Sequence, residues 1–77
     1  MDKVKVGQIR KAKYINILNE FHIALVLVLS HNVKSSLEHQ IYPARISKVL
    51  NLRTKDVHVV ASYELENSKL IEKVEDI

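Results

Sequence analysis

The segment IALVLVLS, Ile23–Ser30, restricts the fold of this 77-residue chain more than any other stretch. Seven apolar residues follow one another with no polar alternation. A strand of this kind needs cover on both faces, unless it lies in a membrane. The membrane alternative fails on length. A spanning helix needs about 20 apolar residues, whereas His22 and His31 bound this run. The segment is also far from the N-terminus and has no small-residue cleavage site, so it is not a signal-peptide core. The expected compartment is the cytoplasm, with no membrane contact. The absence of cysteine fits that, and it excludes disulfides, thiolate nucleophiles and cysteine-based zinc sites.

A chain this short forms one domain, 1–77, and buries only roughly 60% of its unfolded surface. Yet 47% of its residues are hydrophobic. With so little interior, a second copy of the chain is expected to cover part of the apolar surface, giving a homodimer. Lys and Arg exceed Asp and Glu by 12 to 9, for a net charge of +3. That excess permits contact with nucleic acid without requiring it. The positive charge lies early (Lys3, Lys5, Arg10, Lys11, Lys13) and the negative charge late (Glu64, Glu66, Glu72, Glu75, Asp76).

KVKVGQI alternates Lys3 and Lys5 with Val4 and Val6, the period of a half-buried strand. The phase slips at Gly7, the only glycine, and a glycine there suits a β-bulge. YINILN extends this strand, with a helix as competitor because Ile9, Ala12, Ile15, Leu18 and Phe21 recur every third residue. Ile23–Leu29 is a strand buried on both faces, and SHNVKSS is a loop. HQIYPARISKVL is ambiguous: Pro43 places it at an edge or bulge, and SKVLNL alone could form a helical turn. DVHVVASYEL is the clearest strand, with Val57, Val59, Ala61, Tyr63 and Leu65 on the core face and His58 facing out. Glu66 and Asn67 turn the chain into SKLIEKVEDI, a short C-terminal strand or helix. The sum is a mainly β protein of short antiparallel strands, and closure into a small barrel would remove its edges.

General acid–base chemistry without a metal needs a base, an acid and a cation near the charge that develops. His22, His31, His39 and His58, with Arg10, Arg45 and Arg53, are the available groups. His22 and His31 bracket one strand. At about 3.3 Å per residue they lie nearly 30 Å apart and cannot act together within one chain. His31 with His39 is the better pair. The ordinary place for each histidine is nevertheless a solvated loop or strand end. Arg10, Lys11 and Lys13 beside Tyr14 could follow a phosphate backbone with the ring stacked on a base. Their ordinary alternative is a solvated strand face with Tyr14 half-buried. No histidine–carboxylate metal motif and no glycine-rich phosphate loop occurs, so no metal or cofactor is expected.

The order of these parts resembles the MazF/PemK/Kid family of toxin ribonucleases, which are SH3-like barrels. VGQI (Val6–Ile9) stands where that family has GDI, HIALVLVLS resembles its RPALVLS strand, YPARI (Tyr42–Ile46) its Pro-containing segment, and ENSKL its last turn. The resemblance covers most of the chain, in short motifs. It implies a small SH3-like (MazF/PemK-like) antiparallel barrel. It also implies a toxin-type protein that binds single-stranded RNA, pairs with a protein such as an antitoxin, and cleaves RNA without metal if active. In that reading Arg10, Lys11, Lys13, Tyr14 and Arg45 hold RNA, while His22, Ser35, Ser36 and His39 stand near the scissile bond. Two departures matter. NEFHI, with His22, replaces the family's catalytic arginine, and the connection after Ser30 is short. A degenerate, non-catalytic relative fits both. So does a small phage- or plasmid-type inhibitor that binds a host or defence protein through an edge or apolar patch.

Overall fold

Turns set the strand boundaries. The computed structural model describes residues 3–16, 18–34 and 45–73. They form β1 (Ile9–Ile15), β2 (Phe21–Lys34), β3 (Arg45–Asn51), β4 (Val57–Ala61), α1 (Ser62–Glu66) and β5 (Lys69–Ile71). All strand pairs are antiparallel, in the spatial order β4-β3-β2-β1-β5. The protein is mainly β and compact, with a radius of gyration of 11.9 Å. Its five strands form one curved sheet that is not closed.

The lysine–valine alternation predicts a strand from Lys3, but β1 begins only at Ile9. The reason is a turn over Lys5–Gln8, closed by Gln8 N–H donating to Lys5 O (3.2 Å), with Gly7 at φ +91°. That φ is open to glycine and strained for other residues. Gly7 N–H then donates to Val28 O, and Val28 N–H donates to Gln8 O, each at 2.9 Å. Two residues therefore oppose one, which is the count of a β-bulge. It falls at the glycine where the pattern slips.

Asparagine fills the other turns. Asn16 Oδ1 accepts from Leu18 N–H (3.0 Å) and Glu20 N–H (2.9 Å) between β1 and β2. Asn51 Oδ1 accepts from Arg53 N–H (2.9 Å) and Thr54 N–H (3.1 Å) between β3 and β4. Such short side chains mimic a backbone turn, and Asn tolerates positive φ, as at Asn19 and Asn32.

The Asn51 turn also reverses an expectation. DVHVVASYEL is not one strand with Val57, Val59 and Tyr63 inward. β4 ends at Ala61, His58 and Val60 are buried, and Val57 and Tyr63 are 56% and 58% exposed. The turn pairs Leu50 with Val57 and the fully buried Val49 with His58. A register set from β3 fixes the parity of β4, whichever face carries more valines. Ser62–Glu66 is helical instead. Its Leu and two Glu favour a helix over a strand, and Ala61 N–H donates to Glu64 Oε1 (3.3 Å) at the start. SHNVKSS is likewise not all loop, because β2 runs through Lys34 with register shifts between Val28 and Ser30 and between Ser30 and Val33.

The core on the concave face is Ala12, Tyr14, Val26, Val28, Val49, Val60 and Leu65, with Val4 packed against it. Arg10 is 1% exposed beside it. Its Nε donates to Ser68 Oγ (2.6 Å), Nη2 to Ser68 O (2.9 Å) and Nη1 to Gln8 Oε1 (3.0 Å). One guanidinium thus ties β1 to the chain leaving α1 and to the Gly7 bulge. Hydrogen bonds from a charged group contribute about 1.5–3 kcal/mol. Arg10→Ala is therefore expected to lower the urea-unfolding free energy by at least that amount, while Lys11→Ala, on the exposed side of the same strand, stays within about 0.5 kcal/mol.

Candidate nucleic-acid interface

The period of β1 divides its charged residues between two environments. Arg10, Ala12 and Tyr14 point into the concave face, while Ile9, Lys11, Lys13 and Ile15 point out. Of the residues expected to hold RNA, Lys11, Lys13 and Arg45 are exposed. Arg10 and Tyr14 are each 1% exposed, so their side chains belong to the interior and not to a ligand surface. Arg45 Nη1 donates to Asn32 O (3.3 Å) on the far part of β2. Ser35, Ser36 and His39, expected near a scissile bond, lie outside the described residues, as does Pro43.

Tyr14 sits in a buried polar cluster. Its hydroxyl accepts from Asn51 Nδ2 (2.9 Å) and shares a hydrogen bond with His58 Nδ1 (2.7 Å). Its ring stacks on His22, its cross-strand partner, at 5.3 Å between centroids. The His22 and His58 rings are 4.6 Å apart. His58, expected to face out, is thus 8% exposed and part of the interior. The reason is polar: a buried phenol needs partners, and β3 and β4 supply them. His22, expected from the sequence to stand near a scissile bond, is held at the edge of this cluster, with its Nε2 3.9 Å from Glu20 Oε1. Burial pushes the Tyr14 phenol above its ordinary value. The Asn51 hydrogen bond and the charge of Arg53 oppose that rise, and Asp56 adds to it.

A second polar group lies where β2 bends. Ser47 Oγ is 2.7 Å from His31 Nδ1 and 3.0 Å from Ser62 Oγ, and Glu66 Oε2 is 3.7 Å from His31 Nε2. Hydroxyl, imidazole and carboxylate in this order resemble a hydrolytic triad. Ser47, however, has no exposed surface, so no substrate carbonyl reaches its oxygen. Both hydroxyls instead lie 3.2 Å from Asn32 N and accept its hydrogen, where φ is +60°. The network pins the bend of β2 to β3 and α1.

The exposed residues converge elsewhere. An open depression between β1 and α1 is lined by Lys11, Lys13, Lys69, Tyr63, Asn67 and Glu64, with Ile23 at its floor. Lys11 and Lys69 are direct cross-strand partners, and Lys13 follows Lys11 on the same face. Among the described residues none of the three forms an ion pair. Like charges directly opposite one another destabilise a sheet. The single carboxylate here is turned to the chain itself, since Glu64 Oε2 accepts from Ile15 N–H (2.9 Å) and Oε1 from Ala61 N–H. Sequence reasoning missed Tyr63, Asn67 and Lys69. The helix-favouring composition of Ser62–Glu66 was the available signal, because a helix there brings Tyr63 back against β1. Among the described residues no group of three His, Asp or Glu could hold a metal, and no helix is long and apolar enough to cross a membrane.

No protein-family model, curated protein or solved structure matches the chain.

The Tyr14 cluster makes a direct prediction for alkaline titration. The folded state favours the neutral phenol, so its contribution to stability is complete below about pH 10 and is lost as pH rises further. In a 295 nm titration one of the three tyrosines should ionise late, and Tyr14→Phe should remove that late step. The same substitution leaves Asn51 and His58 without their buried partner and should cost about 1–3 kcal/mol in chemical denaturation. A late step that survives in Tyr14→Phe sinks the assignment.

Proposed function

We propose that this chain is a single-stranded RNA-binding protein of the MazF/PemK/Kid type that holds RNA without cutting it. Two features support the family part. The antiparallel strands curl until β1 and β4 side chains meet, as an SH3-like barrel requires, and the motif order along the sequence runs in parallel with that family. The RNA part rests on one observation above all: Lys11 and Lys69 stand directly opposite each other, with Lys13 beside them and, among the described residues, no neutralising ion pair. A phosphate between them relieves their repulsion. Tyr63, exposed in the same depression, gives a base a ring to stack on, the role that sequence reasoning assigned to Tyr14. Every base presents a π-face, so such a site tolerates many sequences.

Binding without cleavage is favoured by the fate of the candidate catalytic groups within the described residues. His22 is packed against both Tyr14 and His58, and Arg10 spends its guanidinium on Ser68 and Gln8.

The test is a salt titration with a short fluorescent single-stranded RNA. Affinity should fall with salt with a slope of about −0.7 for each phosphate neutralised. The double variant Lys11→Ala, Lys69→Ala should flatten that slope by one to two contacts, and Tyr63→Ala should cost about 1–3 kcal/mol. No binding at low salt overturns the proposal. Cleavage of an RNA pool in EDTA to 2′,3′-cyclic phosphate ends, lost in His22→Ala, overturns its non-catalytic part.

A further inference from the structure

The basic depression between β1 and α1 carries more positive charge than an ordinary link of an RNA backbone can match. Lys11, Lys13 and Lys69 bring three formal positive charges to it and Glu64 one negative, a net of two positive. The three cations share one small area. Directly opposed residues of an antiparallel pair have their Cβ atoms about 5 Å apart, and diagonal neighbours about 7–8 Å. Residues two apart on one strand are separated by about 7 Å. Lys11 and Lys69 are the opposed pair, and Lys13 is two residues from Lys11 and diagonal to Lys69. Their flexible four-carbon stems let all three ammonium groups reach a single anion. The rest of the lining, Ile23, Tyr63 and Asn67, supplies no cation, so a second phosphate finds no partner within the depression.

We propose that this depression holds the terminal phosphomonoester of a single-stranded RNA rather than an internal phosphodiester. The proposal rests on the RNA-binding reading above and adds which part of the RNA is held. A phosphodiester within a strand carries one negative charge. A phosphomonoester carries about −1.5 to −2 at pH 7 and presents three strong acceptor oxygens. Its charge equals the net charge of the depression, and each lysine has an oxygen of its own. Tyr63, 58% exposed beside the lysines, offers its ring to the terminal base, whose outer face no further nucleotide covers. Glu64 adds to the selection. Its Oε2 accepts from Ile15 N–H and its Oε1 from Ala61 N–H. The carboxylate is thereby fixed at the wall, where it repels the next phosphate of a strand that runs on through the depression.

Binding of three short RNAs to the purified full-length protein tests this. They share one sequence and an internal fluorophore and differ only at their ends: a 5′-phosphate, a 3′-phosphate, or hydroxyls at both. At low salt one phosphorylated RNA should bind at least about tenfold tighter than the hydroxyl-ended RNA, the effect of a further charge-assisted contact. Which of the two gains the advantage identifies the end. That advantage should shrink as salt rises, because the depression is open to solvent. Adenosine monophosphate carrying its phosphate at the same position should displace the RNA at concentrations where adenosine does not. Lys69→Ala should remove most of the advantage. Lys48→Ala, exposed on β3 and outside the depression, should leave it unchanged, with far-ultraviolet circular dichroism showing both variants folded. Equal affinity for the three RNAs overturns the proposal and leaves the RNA-binding reading standing. An advantage that survives in Lys69→Ala overturns it too, since the phosphate is then held elsewhere. Failure of all three RNAs to bind at low salt overturns both.

Discussion

The Tyr14 hydroxyl is the contact on which the rest of the structure depends. In sheet order β1 and β4 are separated by β2 and β3. In a flat sheet that separation is roughly 14 Å, beyond the reach of a phenol to an imidazole. The 2.7 Å contact between Tyr14 and His58 exists only because the sheet curls. Curl in turn creates a concave side deep enough to bury Val26, Val28, Val49 and Leu65. Two bulged places permit it: the Gly7 turn opposite Val28, and the shifts along β2 that Ser47 and Ser62 hold at Asn32. Among the described residues every buried side-chain nitrogen and oxygen has a partner. A small interior with this much polarity must satisfy all of it.

The curl also separates the chemistry of the two faces. Inward, β1 presents Arg10 and Tyr14, whose polar atoms close the structure on itself. Outward, it presents Lys11 and Lys13 beside exposed apolar side chains. A basic residue two positions from another along one strand has the same sign and the same surroundings, while its immediate neighbour has the opposite ones. Arg10 and Lys11, adjacent in sequence, accordingly do unrelated things. One stabilises the fold, and the other is available to an anion.

Several elements were legible before the structure. The bulge at Gly7 followed from the slip in phase, and the uninterrupted run of IALVLVLS announced a strand, but the burial expected on both its faces holds only for Val26 and Val28, since Ile23 and Leu29 are 49% and 39% exposed. The direction of β4 was not legible, because Val57/Val59 and His58/Val60 are equally plausible core pairs by hydropathy when a histidine has a buried partner. That partner, Tyr14, lies 44 positions earlier, and nothing local to VHVVA indicates it. The basic depression was half legible. Lys11 and Lys13 stood out as a cationic run, but Lys69, Tyr63 and Asn67 join them only after α1 reverses the chain.

What the sequence determined by itself is local: apolar runs and alternation, asparagine and glycine at the turns, a mild basic excess, and no thiol chemistry. Such features depend on backbone sterics and on periods of two residues, which need no knowledge of distant neighbours. Only the tertiary structure decided which side of each strand faces inward, that a histidine and an arginine are interior, and that Lys11 meets Lys69. Those outcomes depend on registers transmitted from strand to strand and on where a buried hydroxyl finds its partners, and both are long-range conditions on the whole sheet.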